Sequence, residues 1–178
     1  MRRIRNVVSA AAAIVATATA LPVLAQADLT DLEMAHVAVT ASNIDIAYAH
    51  LALALSENDV IRGFAARMIS DHTAVNGKVA ELAKRLGVQA QDNAMSRKLL
   101  DDARRIRDEL SRLRGDAFDR FYIDNELRYH ETVNGVVANA FIPNIENAEV
   151  RKAFETALEV FRGHEAHARQ LVREQPQG

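Results

Sequence analysis

The sequence predicts an all-α protein, a four-helix bundle with a short crossover helix between its second and third long helices. Apolar residues recur at alternating intervals of three and four along most of its length, which is the spacing of aligned helix packing. The chain of 178 residues has only three prolines and no alternating strand pattern. Two short turns and one long connection therefore predict two antiparallel helical hairpins joined by the crossover, a ferritin-like arrangement.

The first 27 residues are predicted to be a secretory signal peptide. A basic start, Met1–Arg5, precedes an alanine-rich apolar stretch, and the small-residue motif Ala25-Gln26-Ala27 follows it. Cleavage after Ala27 would leave residues 28–178 as a single four-helix-bundle domain. The mature protein is therefore expected in the periplasm or outside the cell, with no membrane span after cleavage.

Composition excludes several classes of function. Without the signal peptide the chain keeps 19 basic and 24 acidic side chains, so it is a poor candidate for nucleic-acid binding. The sequence contains no cysteine, which excludes thiolate chemistry, cysteine zinc sites and c-type haem attachment. Any metal ion must therefore be held by His, Asp, Glu or Tyr.

The first two predicted helices form a hairpin. The first opens with a capping box from Thr30 to Glu33, and the polar stretch 56–59 ends it. The second has the most regular apolar stripe in the chain and stops at Gly87. That stripe consists of Ile61, Ala65, Met68, His72, Val75, Val79, Leu82 and Leu86.

The second half of the chain contains the crossover and the second hairpin. An amphipathic crossover helix has its apolar seam from Leu99 to Leu113, and Gly115-Asp116 ends it and caps the next helix. The third long helix runs from about 117 to 141, and a turn around Pro143 follows. The fourth carries its seam from Val150 to Leu171.

Three histidines lie at a similar depth in three of the long helices. His72, His130 and His164 each occupy or adjoin an apolar face. At the rise of an α-helix they lie roughly 18–24 Å from the nearest hairpin turn, close to the middle of the bundle. Asp45 on the first helix and Glu126, one turn before His130, fall at about the same level.

This arrangement predicts a transition metal site in the bundle core, with zinc, iron, copper and manganese as candidate ions. The three histidines would be ligands, and Asp45 or Glu126 would be the fourth. A carboxylate-rich di-iron centre would need a glutamate three residues before two of the histidines. Those positions are Ile69, Leu127 and Phe161, so a histidine-rich mononuclear site is favoured.

Other polar side chains near these positions have supporting or surface roles in this interpretation. Glu131 and Glu165 neighbour the histidines and are expected to support them. Asp71 is expected at the surface or in an inter-helix hydrogen bond, and His36 and His50 on the exposed face of the first helix. His167 shares the side of the fourth helix that carries His164, and a surface position is favoured.

A second interpretation needs no metal. The three histidines would then be core side chains that hydrogen-bond to Tyr48, Tyr122, Glu126 or buried water, or that sense pH. The protein would act in the envelope by binding a protein partner or a second copy of itself. The sequence contains no nucleophile elbow or phosphate loop, so whether it is an enzyme stays open.

Several motifs follow one another in a specific order. They are Leu29-Thr30-Asp31, Phe64-Ala65-x-x-Met68-Ile69-x-Asp71-His72, Ala117-Phe118-Asp119-x-x-Tyr122, His130-Glu131, and Leu158-x-x-Phe161-x-x-His164. This set resembles the bacterial exported family called domain of unknown function 4142, which is grouped with the ferritin-like bundles. The resemblance covers roughly residues 30–173.

The resemblance implies a ferritin-like four-helix fold and an envelope location. The recurring histidines of the family correspond to His72, His130 and His164, and its usual first-helix glutamate corresponds to the shorter Asp45. The usual proline of its fourth helix corresponds to Glu159. The resemblance implies little about activity, and a stress-related role would rest on fold analogy.

Overall fold

Five α-helices make up most of the chain that the structure, a computed structural model, describes, residues 29–175. No β-strand occurs in this range. The helices are α1 Asp31–Leu55, α2 Asp59–Leu86, α3 Ala94–Arg112, α4 Gly115–Val136 and α5 Ala148–Glu174.

The predicted four-helix bundle with a crossover helix is confirmed. Helix α1 packs most extensively on α2, and α4 packs on α5, so the two hairpins form as expected. The long connection between the hairpins contains α3, which packs mainly on α1. A single long crossover of this kind is found in ferritin-like bundles. The predicted signal peptide and its cleavage site lie outside the described residues.

The helix ends follow local capping chemistry with one exception. The capping box of α1 is present. Oγ1 of Thr30 accepts from the amide of Glu33 at 3.3 Å, and the carboxylate of Glu33 accepts from the amide of Thr30 at 2.9 Å. Gly87 ends α2 in the left-handed conformation, with φ 67°. The prediction for α4 was wrong in detail, because α4 starts at Gly115 after Arg114, whose side chain makes no cap bond.

Helix α1 is apolar on nearly every side. This suits its position, since α2, α3 and α4 all pack against it. Ala49 and Ala52 are fully buried in these contacts. By length and composition alone α1 is apolar enough to cross a membrane. In this fold it is a core helix instead, and it carries the buried carboxylate of Asp45 near its middle.

The core has two halves that meet near the level of His72. In the half that we call the closed half, all four bundle helices contribute fully buried side chains. They are Tyr48, Ala49, Ala52, Ile61, Phe64, Ala65, Met68, Phe118, Tyr122, Ile123, Ala168 and Leu171.

In the other half, which we call the open half, the buried core comes from α1, α4 with its extension, and α5. It consists of Met34, Val37, Val137, Phe141, Ile145, Phe154 and Leu158. The second half of the predicted α2 stripe is helical but only half-buried, which corrects its expected place in the core. These half-buried residues are Val75, Val79, Leu82 and Leu86.

A π-helical turn, Val137–Phe141, extends α4 beyond Val136, and a 3₁₀ turn, Ile142–Asn144, follows it. The amide of Ile142 bonds to the carbonyl of Val137, five residues earlier. The predicted third helix therefore reaches Phe141, but its last turn is wider than an α-helical turn. Both Val137 and Phe141 are buried in the core of the open half.

Candidate metal centre

Three imidazoles meet at the boundary between the two halves of the core. His72 comes from α2, His130 from α4 and His164 from α5, and all three are at least 96% buried. Their ring centroids are 5.3–5.8 Å apart, and one ring nitrogen of each lies within 4.8 Å of the others. The structure therefore brings together the three histidines that the sequence placed at one depth.

Two of these histidines are oriented by strong acceptors on their outer side. Nδ1 of His130 donates to the backbone carbonyl of Glu126, one turn earlier in α4, at 3.0 Å. Nε2 of His164 donates to the carboxylate of Asp71 on α2 at 2.8 Å. Each bond fixes the ring and places the remaining lone pair on the inward nitrogen.

Two residues of α1 hold His72 from opposite sides. Oγ of Ser42 lies 3.0 Å from Nδ1, and the carboxylate Oδ2 of Asp45 lies 2.5 Å from Nε2. The same oxygen of Asp45 lies 3.6 Å from Nε2 of His130. The carboxylate of Asp45 is therefore close to the inward nitrogens of two of the three imidazoles.

Two of the inward nitrogens, Nε2 of His130 and Nδ1 of His164, are buried and have no hydrogen-bond partner among the described residues. The third, Nε2 of His72, is buried against Oδ2 of Asp45 at 2.5 Å. Both carboxylate oxygens of Asp45 are buried, with the imidazole of His72 and the carboxyl group of Glu126 as neighbours. Leaving buried polar atoms unpaired costs roughly 1–3 kcal/mol each, so this convergence needs a balancing interaction.

Asp45 is the ionised carboxylate of the cluster. Burial alone would raise its pKa, but the adjacent imidazole of His72, and then that of His130, hold the pKa well below its usual range. Glu126 shows the opposite behaviour, because burial and the negative charge of Asp45 raise its pKa well above its usual range. Glu126 therefore keeps its proton to a higher pH than Asp45, and both are fully buried.

The imidazoles of His130 and His164 are suited to donate lone pairs. Burial lowers the pKa of His130, and it lowers the pKa of His164 to about 4 although the bond to Asp71 opposes this shift. Both rings are therefore neutral at neutral pH, which is the state that binds a metal ion. Burial also raises the pKa of the tyrosine hydroxyls around the carboxylates, which are Tyr48, Tyr122 and Tyr129.

Two supporting residues of the cluster were not assigned this role from the sequence. Ser42 precedes Asp45 by three residues, so helical spacing puts both on one face of α1 and was a usable signal. Asp71 was expected at the surface or in an inter-helix bond, and the structure shows the second of these, with His164 as its partner. Nothing in the local sequence around Asp71 indicates that partner.

The glutamates expected to support the histidines have other partners. Glu131 and Glu165 both accept from Arg169, at 2.7 and 2.8 Å, and hydrogen-bond to none of the three imidazoles. Glu165 also accepts from Nδ2 of Asn134 at 2.9 Å. They form a network on the α4–α5 face, beside the cluster rather than around its ligand atoms.

The remaining histidines lie outside the cluster. His50 is exposed, as expected, but His36 is half-buried, because its Nδ1 lies 2.8 Å from Oγ of Ser96 on the crossover helix. The expectation that His36 would be exposed was wrong because α3 packs against α1 and covers this part of it. His167 is also half-buried, with its ring 5.1 Å from that of Phe64.

The family assignment follows from a match to the family described as domain of unknown function 4142, which covers residues 16–171. The chain belongs to this family. No curated protein matches the chain.

One similar solved structure is described as "CopM in the Cu(II)-bound form". Its TM-score is 0.62, its sequence identity is 16%, and the match covers 82% of this chain and 97% of that one. At this identity the likeness supports the fold of this member of the domain of unknown function 4142 family, and its ligands have to be argued from the residues.

Proposed function

We propose that this protein is an exported binding protein for a transition metal ion, held in the bundle core by His72, His130, His164 and Asp45. The observation that carries the proposal is the orientation of the three imidazoles. Each has its outer nitrogen fixed by a neighbour; the inner nitrogens of His130 and His164 are buried without a hydrogen-bond partner, and that of His72 faces the carboxylate of Asp45. Outer hydrogen bonds of this kind orient histidine ligands in metal sites.

The charge of the cluster supports a cation as its occupant. Asp45 supplies one negative charge in a fully buried position, while His130 and His164 are neutral. A buried charge is costly, so a cation bound between the imidazoles and Asp45 would further offset the cost of desolvating the carboxylate. Glu126, which keeps its proton to a higher pH, is better suited to donate a proton to Asp45 than to act as a fourth ligand.

Imidazole and carboxylate donors suit zinc, copper, iron and manganese, which keeps all four ions as candidates. Copper is the first ion to test for two reasons. It has the highest affinity of the four for nitrogen and oxygen donors. The structurally similar CopM is described as having a Cu(II)-bound form.

The first experiment measures the metal content of residues 28–178, purified without a chelator or a histidine tag. We expect about one ion per chain in the unmodified protein, and its loss in His72→Ala. His50→Ala is the matched control, because His50 lies on a bundle helix and is exposed. Metal-free protein that shows no rise in melting temperature with any of the four ions would contradict the proposal.

The half-exposed apolar stripe of α2 favours a second candidate function, the binding of a protein partner in the envelope. It comprises Val75, Val79, Leu82 and Leu86, all half-buried in this fold. In that case the histidines would be structural. We then expect Val79→Asp and Leu82→Asp to abolish a pull-down of the partner, and metal to have no effect on stability.

A further inference from the structure

An apolar cavity of about 50 Å³ lies in the open half, next to the histidine cluster. All four bundle helices contribute to its walls. Its inner end contains the buried rings of His72 and His130. Phe161 forms part of the wall and stacks on His72, with ring centroids 4.4 Å apart and planes 11° from parallel.

Half-exposed side chains line part of the cavity, so this part of its wall lies toward the surface of the bundle. Val75 and Val79 lie on the α2 side, and Ala153 and Ala157 on the α5 side. This is the stretch in which α2 contributes no buried residue after His72. The loose packing of α2 beyond His72 therefore leaves the α2 stripe half-exposed and also leaves a space beside the imidazoles.

Most of the polar side chains in the cavity wall are already bonded. Ser42 is bonded to His72, and the hydroxyl of Tyr129 donates to the carbonyl of Ala41 at 2.9 Å. Nδ2 of Asn134 donates to Glu165, which fixes the amide and leaves its buried Oδ1 as a free acceptor. No Asp, Glu, Lys or Arg is among the lining residues of the described chain.

These features select an uncharged occupant. A wall of carbon atoms would strip a charged molecule of its hydration without compensation. A single water needs roughly 10–15 Å³ of such space, so a cavity of about 50 Å³ fits a small molecule of a few heavy atoms. Apolar cavities in proteins stay dry and bind apolar solutes such as xenon.

We propose that this cavity admits a small uncharged molecule of the dioxygen or nitric oxide class to the edge of the histidine cluster. The binding of such a molecule in the cavity does not depend on the proposed function. Its biological role does rest on the proposed function, because a metal ion bound by the cluster would be the group with which the molecule interacts. The apolar lining disfavours hydrated ions.

The test uses xenon, which needs no metal ion. Crystals of metal-free residues 28–178 are pressurised with xenon, and the anomalous signal is measured in wild type and variants. We expect one xenon atom in the cavity of the wild type, reduced occupancy in Ala157→Val, and none in Ala157→Leu. Ala166→Leu is the matched control on the exposed face of α5 and should keep full occupancy.

A solution measurement keeps the result independent of crystals. Dissolved dioxygen should broaden the methyl resonances of Val133 and Leu158 in wild type and in Ala166→Leu, and broaden them less in Ala157→Leu. Ordered water in place of xenon, or xenon retained in Ala157→Leu, would overturn the inference. Metal content of the same variants, expected to equal that of wild type, separates failure here from failure of the metal site.

Discussion

The closed and open halves of the bundle use α2 in opposite ways. In the closed half α2 buries Ile61, Phe64, Ala65 and Met68 against the other bundle helices. In the open half it buries no residue after His72, although its apolar stripe continues with the same spacing. The comparison shows that a regular stripe predicts which face of a helix turns inward, but not how closely its neighbours approach.

The histidine cluster lies where these two kinds of packing meet. Rigid, fully buried packing on one side fixes the rings, as metal sites require. Looser packing on the other side leaves an apolar space beside them. The difference between the halves is therefore part of how the site is built, and it can be tested by changing each half separately.

The largest expected difference between the halves is in stability. Met68→Ala should lower the free energy of unfolding by about 2–5 kcal/mol, because Met68 is fully buried in the closed half. Val79→Ala, at an equivalent stripe position in the open half, should cost less than about 1 kcal/mol since it is half-exposed. Urea denaturation of the metal-free proteins measures both, and equal losses would remove the distinction between the halves.

The pH dependence of stability should be the next largest effect. It reports on the histidine cluster, which lies at the boundary between the two halves. The pKa of His164 is about 4 in the folded protein, below its value of about 6.5 in an unfolded chain. The unfolded state therefore binds the proton more readily, and stability is lost as pH falls from 6.5 towards 4, by up to about 3 kcal/mol.

Denaturation midpoints of the metal-free protein between pH 7 and pH 4.5 measure this loss. His164→Gln removes one titrating group and should make the profile shallower over that range, with His130 still contributing. An unchanged profile in His164→Gln would show that other groups cause the loss.

The smallest of the three effects concerns a contact that orients a ligand. Ser42→Ala removes the hydrogen bond to Nδ1 of His72 and should weaken metal binding about 10–100-fold. Thr73→Ala is a suitable control, because Thr73 is exposed next to His72 on α2. Titration with a competing chelator measures both affinities. Equal affinity in Ser42→Ala and wild type would mean that packing alone orients the ring.

Much of the fold could be predicted from the sequence because helical spacing, caps and breaks are local. Gly87 and the capping box at Thr30 are examples, and both appear in the structure as expected. The depth of the three histidines followed from helix rise and turn positions, which is again local information. The predicted convergence of Asp45 and Glu126 with them rests on the same arithmetic.

Features that depend on the neighbours of a helix could not be predicted in this way. The partial burial of His36 depends on where α3 packs, and the partner of Asp71 depends on how α2 and α5 pair. The opposite pKa shifts of Asp45 and Glu126 depend on which imidazole each carboxylate meets. Each of these is set by tertiary packing rather than by spacing along one helix.

For an exported chain, as proposed above, Asp45 would have a further consequence during passage through the membrane. Helix α1 is 25 residues long, and by length and composition it could cross a membrane. Beyond its first turn Asp45 is its only acidic residue, and it has no lysine or arginine. A central aspartate disfavours lateral release from the translocon into lipid by about 3 kcal/mol. The carboxylate that completes the cluster in the folded protein would thus also help the unfolded chain to pass through the membrane instead of staying in it.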